Sequence, residues 1–327
     1  MNWAGKRVLV TGAGGFIASH LTERLVELGA ATRAFVHYRA DGSRGWLDHS
    51  PQQAEIEFHA GDITDRDSVL QAMKGVDAVF HLAALIAIPY SYHAPASYVR
   101  TNVEGTMNVL QAARTYGTSR VVHTSTSEVY GSALTVPISE SHTLQAQSPY
   151  SATKIAADKL AEAFHLSYQI PVVTLRPFNT YGPRQSSRAV IPTIIAQTLS
   201  DGPLRLGNLS PTRDLNFVGD TVEGFLLAGE SSRAVGRTVN IGSGREISIK
   251  ALAELIADII GRRVRIEPDV QRVRPDTSEV SRLLADNRLS KELLGWSPKV
   301  SLEEGLRLTV DWFKDHLHAY RSKAYIL

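Results

Sequence analysis

The chain has 327 residues, of which 43% are hydrophobic and 21% charged, and its formal net charge is +2. This balance is typical of a globular enzyme and speaks against nucleic acid or an anionic membrane as the main partner. Because the chain has no cysteine, disulfides and thiolate metal sites are excluded, and we predict no metal site. No apolar run reaches the roughly 18 residues that span a bilayer, and the first residues resemble a strand rather than a signal peptide, so we expect a cytoplasmic protein.

Short apolar runs alternate with amphipathic stretches through the first half of the chain. We predict strands at 7–11, 32–36, 56–59, 78–81, 121–124 and 172–176. We predict helices at 17–28, 64–70, 95–116 and 151–168. Thr64 and Asp67 have the spacing of a capping box for the second of these helices. The alternation predicts right-handed βαβ units, and therefore an α/β fold with a Rossmann-type, doubly wound parallel sheet.

The alternation loosens after about residue 181, where glycine and proline become frequent. We predict further helices at 249–260, with Ser248 as the N-cap, and at 287–294 and 302–317. We therefore expect an NAD(P)-binding domain over 1–180 and a smaller C-terminal α/β lobe over 181–317 that mainly binds substrate. The chain would cross back between the two lobes, and 318–327 would form a tail.

Glycines follow the first predicted strand, in the sequence TGAGGFIA at 11–18. Gly12 would allow the tight turn, and Gly15 would let the backbone approach a pyrophosphate. The amides and the dipole at the start of the following helix favour an anion there. This pattern predicts a dinucleotide site.

The end of the second predicted strand lacks the acid that usually binds the ribose 2′-hydroxyl of NAD. That position is Val36, and it is followed by His37 and then Arg39. Either cation could meet a 2′-phosphate, so these residues favour NADP, with NAD as the alternative. They could equally be solvated loop residues.

Two stretches carry candidate catalytic groups, TSTSEVYG at 124–131 and YSATK at 150–154. The first follows a buried strand, where ligands bind in a doubly wound sheet. Tyr150 and Lys154 lie four residues apart and so share a helix face. A nearby ammonium stabilises a phenolate, which makes Tyr150 a candidate base for a sugar hydroxyl. Thr126 could hold that hydroxyl by a hydrogen bond.

The chain resembles the extended short-chain dehydrogenase/reductase family, which includes NAD-dependent epimerases and dehydratases. The resemblance covers nearly the whole chain. The motifs that carry it are TGAGGFIA at 11–18, GDI at 61–63, HLAA at 81–84, TNVEGT at 101–106, STSEVYG at 125–131, YSATK at 150–154, RPFNTYGPR at 176–184, RDLNFVGD at 213–220, NIGSG at 240–244, RPD at 274–276 and LGW at 294–296.

This resemblance implies a catalytic triad of Thr126, Tyr150 and Lys154. The cofactor, tightly bound and recycled in each cycle, would be held by Gly12, Gly15, Phe16, Ile17, His37, Arg39, Asp62, Ile63, Leu82, Ala83, Ala84, Asn102, Thr124, Tyr150 and Lys154. A nucleotide-sugar substrate would contact Ile86, Ser91, Asn179, Val190, Arg213 and Arg274. Guanidinium groups bind phosphate oxygens in bidentate fashion, which suits the two arginines to a diphosphate. Either arginine could instead form an ordinary ion pair.

Within this family, the residues after the triad threonine indicate the reaction. Epimerases generally have a small residue where this chain has Glu128, so we predict a 4,6-dehydratase with Glu128 as the base at C5. Glucose-type dehydratases carry an aspartic acid at the position of Ser127. GDP-mannose-type dehydratases have a serine there, as this chain does. We therefore expect Glu128 to return the proton to the C6 oxygen, with Ser127 as a hydrogen-bond relay.

The segment LIAIPYSYHAPASY, together with GWLDH at 45–49 and QSSRAVIPTI at 185–194, resembles dehydratases of the legionaminic-acid pathway. That resemblance implies UDP-N-acetylglucosamine, or its GDP form, as the substrate. Ile86, Ile88 and Pro89 would form an apolar wall for the acetamido methyl, although loop packing alone would also explain them. A UDP-glucuronate decarboxylase, a UDP-sugar 4-epimerase and a dinucleotide-sensing regulator remain alternatives. The family also implies a homodimer through the helices at 95–116 and 151–168.

Overall fold

The computed structural model describes residues 2–200, 202–273, 275–317 and 320. The strands are β1 (Arg7–Thr11), β2 (Ala31–His37), β3 (Glu57–Gly61), β4 (Ala78–His81), β5 (Arg120–Thr124), β6 (Val172–Pro177), β7 (Asn179–Tyr181), β8 (Leu204–Leu206), β9 (Thr212–Phe217), β10 (Thr238–Ile241), β11 (Glu246–Ser248) and β12 (Ile266–Pro268). The helices are α1 (Phe16–Glu27), α2 (Arg66–Met73), α3 (Ile88–His93), α4 (Pro95–Tyr98), α5 (Gly105–Tyr116), α6 (Pro149–Tyr168), α7 (Val190–Leu199), α8 (Val218–Glu230), α9 (Ile249–Ile260), α10 (Arg288–Leu294) and α11 (Leu302–His316).

Seven parallel strands form the main sheet, in the order β10-β6-β5-β4-β1-β2-β3. The predicted doubly wound α/β fold is confirmed. Strand order reverses at β1, which pairs with β2 on one side and β4 on the other. A crevice at the carboxyl ends of these strands is the usual ligand site of such a sheet.

Side chains that alternate along each strand bury the two faces of the sheet separately. Val8 and Val10 of β1 belong to the core under α1, α8 and α10. Leu9, between them, belongs to the core under α2, α5 and α6. Both faces of the sheet are therefore covered by helices, which leaves the strand ends for ligands.

A third core lies among α7, α9 and α11, and includes Ile195, Ile256 and Val310. Two small sheets accompany it, with the orders β11-β9-β7 and β12-β8. Between these elements the chain returns to the main sheet, because α8 packs on that sheet and β10 forms its edge. None of the described helices is long and apolar enough to cross a membrane.

The predicted cap of α2 is wrong by one residue. Asp65 is the N-cap, and its carboxylate accepts bonds from the amides of Asp67 and Ser68. Thr64 instead donates its hydroxyl to Asp62, at 2.8 Å. A neighbouring carboxylate therefore takes the side chain that the sequence pattern offers to the helix.

The predicted helix over 95–116 is interrupted by a π-helical turn at Val99–Glu104. Three helices, α3, α7 and α8, were not predicted. Helices α7 and α8 are apolar on most sides because both are largely buried, so they lack the one-sided pattern by which a surface helix is recognised.

Candidate active site

The loop between β1 and α1 depends on its glycines, because side chains there would collide with neighbouring backbone. Gly12 has a φ of +69°, and a Cβ there would lie 2.9 Å from the Cα of Ala83. Gly15 is the N-cap of α1 and supplies no side-chain cap, so the first amides of this 12-residue helix are open to an anion. Phe16 and Ile17 form the first turn. This arrangement fits a dinucleotide pyrophosphate.

The end of β4 is tied to the same loop. Thr11 Oγ1 accepts bonds from the amides of Leu82 and Ala83, each at 3.1 Å. The Nδ1 atom of His81 lies 2.8 Å from that oxygen. Ala84 follows directly. The predicted cofactor segment 82–84 therefore borders the crevice beside β1, where the strand order reverses.

The residues after β2 and β3 lie side by side, because His37 pairs with Gly61 in the sheet. Arg39 forms an ion pair with Asp41 at 2.9 Å, and both side chains are more than half exposed. Burial works against the charge of Asp62, but hydrogen bonds from Thr64 outweigh it and lower the pKa of Asp62. Neighbouring Ile63 is buried.

Arg44 is a further cation on this side that the sequence reasoning missed. Its guanidinium lies 4.2 Å from the ring centre of Phe58. A Cβ at Gly14 would collide with the carbonyl oxygen of Arg44. This close approach joins two loops that lie 30 residues apart in the sequence. No local sequence pattern predicts the position of Arg44.

Thr126, Tyr150 and Lys154 meet at the end of β5. Pro149 and a capping box of Ser148 and Ser151 begin α6 at this point, which presents Tyr150 in the first turn. Tyr150 is buried and its hydroxyl is hydrogen-bonded to Thr126. Lys154 Nζ donates to the carbonyl oxygen of Thr124, at 2.5 Å.

Burial shifts both titratable members of this group toward their neutral forms. It raises the pKa of Tyr150 well above the ordinary value, which the Thr126 hydrogen bond partly opposes. It lowers the pKa of Lys154 to about 8, against the pull of Asp158. The phenolate of Tyr150 is therefore costly unless positive charge stands nearby.

Glu128 lies in the short 3-10 turn Ser127–Tyr130, directly after the strand. Its amide is bonded to Thr126 Oγ1, at 3.3 Å, and its charge contributes to the raised pKa of Tyr150. No hydrogen bond or ion pair to the Glu128 carboxylate occurs among the described residues. The hydroxyl of Ser127 is fully buried, and none of the residues that the structure describes forms a hydrogen bond with it.

Asn102 lies in the π-helical turn, and its side chain fastens the segment after β4. Its Oδ1 accepts from the amide of Leu85 at 2.8 Å, and its Nδ2 donates to Leu85 O and Thr153 Oγ1, both at 3.0 Å. π-helical turns often mark functional positions. This one joins the crevice to α6 near Tyr150.

The candidate substrate residues are spread over several elements. Ile86 is 64% exposed, whereas Ser91 is buried and donates its hydroxyl to Ile88 O. Asn179 of β7 pairs with Leu215 of β9, and Arg213 lies two residues before Leu215 on the same strand. Because side chains alternate along a strand, Asn179 and Arg213 point to the same face of the small sheet.

Arg213 is buried and donates to Glu279, at 3.1 Å. Val190 is the first residue of α7. Arg274 lies outside the described residues. The described residues hold no cluster of three or more histidines and carboxylates that could bind a metal ion.

A family model described as GDP-mannose 4,6 dehydratase matches residues 9–309. The chain belongs to this family. The predicted membership of the extended short-chain dehydrogenase/reductase group is thereby confirmed, and so is the class of NAD-dependent nucleotide-sugar enzymes that act as dehydratases, epimerases or decarboxylases.

Three relatives show the range within the family. The chain is 35% identical to UDP-glucose 4-epimerase of Mycolicibacterium smegmatis over 319 residues, 94% of this chain and 99% of that protein. It is 33% identical to UDP-glucuronic acid decarboxylase 2 of Arabidopsis thaliana over 323 residues, 96% of this chain and 69% of that protein. A structure of the dTDP-glucose 4,6-dehydratase DesIV from Streptomyces venezuelae, with NAD bound, superposes with a TM-score of 0.88 at 31% identity, covering 96% of this chain and 99% of that one. These family members have three different activities.

Proposed function

We propose that the protein is a nucleotide-sugar 4,6-dehydratase that converts UDP-N-acetylglucosamine, or its GDP form, to the 4-keto-6-deoxy sugar. The observation that carries this proposal is the Glu128 carboxylate, which has no partner among the described residues and follows Thr126 beside Tyr150. C4 oxidation alone has no use for a carboxylate at this place, whereas elimination across C5–C6 needs an acid-base group.

The glycine loop supports a dinucleotide with its pyrophosphate on the first turn of α1. The residues that would hold the cofactor are Gly12, Gly15, Phe16, Ile17, Asp62, Ile63, Leu82, Ala83, Ala84, Asn102, Thr124, Tyr150 and Lys154. When bound, the nicotinamide accepts a hydride from C4 of the sugar and returns it to C6. Solved relatives bind NAD. For this chain we propose NADP, because the end of β2 offers His37 and Arg39 and no carboxylate, with NAD as the alternative.

In the first step, Tyr150 takes the proton of the C4 hydroxyl while Thr126 holds that hydroxyl. The Lys154 ammonium stabilises the phenolate that burial otherwise disfavours. The resulting C4 ketone makes the hydrogen at C5 acidic.

In the second step, Glu128 removes the C5 proton. The C5–C6 double bond forms as the C6–O bond breaks, and the departing oxygen takes that proton from Glu128 and leaves as water. Ser127 relays the proton, since its buried hydroxyl has no competing partner in the described chain. A solvent proton, delivered through the same carboxyl, returns to C5 when C6 is reduced, and Tyr150 releases the C4 hydroxyl proton to solvent, which balances the cycle. A positioned acid-base group of this kind contributes roughly 10²–10⁴-fold.

The second lobe would bind the nucleotide diphosphate. Arg213 and Asn179 point to one face of the small sheet, and Arg274 would join them. Ile86 and Val190 would line the sugar, whereas Ser91, predicted as a substrate contact, is buried and would support this wall through its bond to Ile88 O. The exposed Ile86, with Ile88 and Pro89 beside it, supports an acetamido methyl at this wall.

A UDP-sugar 4-epimerase is the second candidate, favoured by the identity to the Mycolicibacterium enzyme. An epimerase would need the triad and would leave Glu128 without a task. A decarboxylase would need a cation for the substrate carboxylate. A dinucleotide-sensing regulator would need none of Tyr150, Lys154 and Glu128. We also propose a homodimer through α5 and α6, and the cytoplasmic location stays a prediction.

The test is mass spectrometry of UDP-N-acetylglucosamine after incubation with the purified protein and no added reductant. Loss of one water, with no net change in the cofactor, is expected. A new isomer of unchanged mass would overturn the dehydratase in favour of an epimerase. If GDP- and dTDP-sugars also stay unchanged, loss of carbon dioxide from UDP-glucuronate would identify a decarboxylase.

A further inference from the structure

A buried group of polar side chains lies behind Lys154. Asp158, one turn further along α6, accepts bonds from Ser125 Oγ at 2.8 Å and from His123 Nε2 at 3.2 Å. Arg176 of β6 donates to the same carboxylate from two nitrogens, at 2.9 and 3.1 Å. The side chains of Asp158, His123 and Arg176 are between 1% and 6% exposed.

This group is anchored further into the molecule. Arg176 also donates to the hydroxyl of Tyr130, at 2.9 Å, and that hydroxyl donates to Asn240 Oδ1, at 2.7 Å. Asn240 belongs to the edge strand β10. Asp158 is therefore held from β5 and β6, with β10 bracing Arg176 through Tyr130, and cannot turn away from Lys154 without breaking several charge-assisted bonds.

The charges within this group do not cancel. Burial and the neighbouring Lys154 and Arg176 lower the pKa of His123, despite its bond to Asp158, so its ring is neutral. Burial opposes ionisation of Asp158, but His123 and Arg176 lower its pKa and keep it charged. One carboxylate therefore faces two buried cations.

We propose that Asp158 is a positioning residue that keeps the Lys154 ammonium charged at the pH at which the enzyme works. Arg176, in turn, sets how much of the carboxylate's field reaches the lysine. This proposal rests on the proposed function, in which Lys154 must carry a positive charge beside Tyr150.

The other groups around Lys154 make this assignment specific. Tyr150 shares its helix face, neutral His81 and His123 of β4 and β5 interact with it electrostatically, and Arg176 of β6 shares the Asp158 carboxylate with it. Burial pulls the lysine toward the neutral form, and Asp158 is the group that opposes this. Without it, the uncompensated Arg176 would add to the cost of the ammonium.

The experiment is a ¹³C NMR titration of protein labelled with ¹³C-lysine, in which the Lys154→Arg variant identifies the Lys154 signal. In the wild type the ammonium should lose its proton near pH 8. Asp158→Asn should move that midpoint down by about one pH unit or more. Turnover at pH 8 should fall roughly five-fold or more in the same variant, in step with the charged fraction of Lys154.

A second variant has the opposite expected sign. Arg176→Gln removes the competing cation and should move the Lys154 midpoint above that of the wild type. Loosened packing would admit water and raise the midpoint in both variants, so opposite shifts separate electrostatics from structural damage. If Asp158→Asn does not fold, an unchanged or lowered Lys154 midpoint in Arg176→Gln would still overturn the proposal.

The matched control is Glu162→Gln, which removes an exposed carboxylate one turn further along the same helix. It should leave the midpoint unchanged. An unchanged midpoint in Asp158→Asn, or an upward shift in it, would overturn the proposal. The NMR titration needs no substrate, so a failed dehydratase assay would not be mistaken for a failure of this inference.

Discussion

Glu128 and Arg213 are the candidate site's two contrasting charges. Glu128, at the end of β5 in the main sheet, has no hydrogen bond or ion pair to its carboxylate among the described residues. Arg213, in the small sheet β11-β9-β7, is buried and paired with Glu279. A carboxylate that must accept a proton gains from the lack of a cation, since a partner would lower its basicity. A guanidinium that only holds a ligand can rest on a carboxylate until a diphosphate replaces it.

Arg39 and Asp41 extend the contrast to the surface. Their ion pair is more than half exposed on both sides, so water and salt screen it. Among the residues that the structure describes, Glu128 is therefore unpaired, Arg213 is paired and buried, and Arg39 is paired and exposed. Substitutions at these places, and at the tyrosine beside Glu128, should differ in size accordingly.

The largest effect is expected from Tyr150→Phe, because without the phenol no later step can begin. C4 oxidation should slow by roughly 10²–10⁴-fold, measured as turnover of the nucleotide sugar. Tyr116→Phe, at the exposed end of α5, is the control and should behave as wild type. Normal turnover in Tyr150→Phe would remove Tyr150 from the role of base.

Glu128→Gln should slow water loss by roughly 10²-fold or more while cofactor binding stays intact. The amide keeps the shape of the side chain and cannot accept the C5 proton. The measurement pairs mass spectrometry of the sugar with a cofactor binding titration. Glu55→Gln, on an exposed turn, serves as the control. Unimpaired dehydration would show that the unpaired carboxylate is not the base.

Arg213→Ala should raise KM for the nucleotide sugar by roughly 10–100-fold and change kcat much less. Hydrogen bonds to charged groups contribute about 1.5–3 kcal/mol each. Steady-state kinetics separates the two constants. Arg205→Ala, on an exposed position of β8, should leave both unchanged. A fall in kcat at constant KM would instead place Arg213 in the chemistry.

The smallest effect is expected at the exposed pair. Arg39→Ala should weaken NADP binding by up to about five-fold and leave NAD binding unchanged, since an exposed charge contributes no more than about 1 kcal/mol. Isothermal titration with each cofactor measures the two affinities. Arg24→Ala, at an exposed side chain of α1, is the control. Equal loss of both cofactors would argue against a 2′-phosphate at Arg39.

The sequence alone was sufficient to predict the parallel sheet, the glycine turn and the place of Tyr150 and Lys154 on one helix, α6. Each depends on neighbours within a few residues: strand–helix alternation, a turn that needs glycine, or a four-residue spacing on one helix. The same local reasoning gave the wrong cap for α2. The Thr64 hydroxyl could bond either to the helix amides or to Asp62, and in the structure it donates to Asp62.

Only the tertiary structure decided which charges have partners. Glu279 lies 66 residues from Arg213, and Arg176 lies 18 residues from Asp158 on a different element. Helices α7 and α8 were not predicted for a related reason. Both are buried on most sides, so they lack the alternation of apolar and polar faces by which a surface helix is recognised. Sequence periodicity reports which side of an element is buried, whereas the pairing of a buried charge depends on which distant element packs against it.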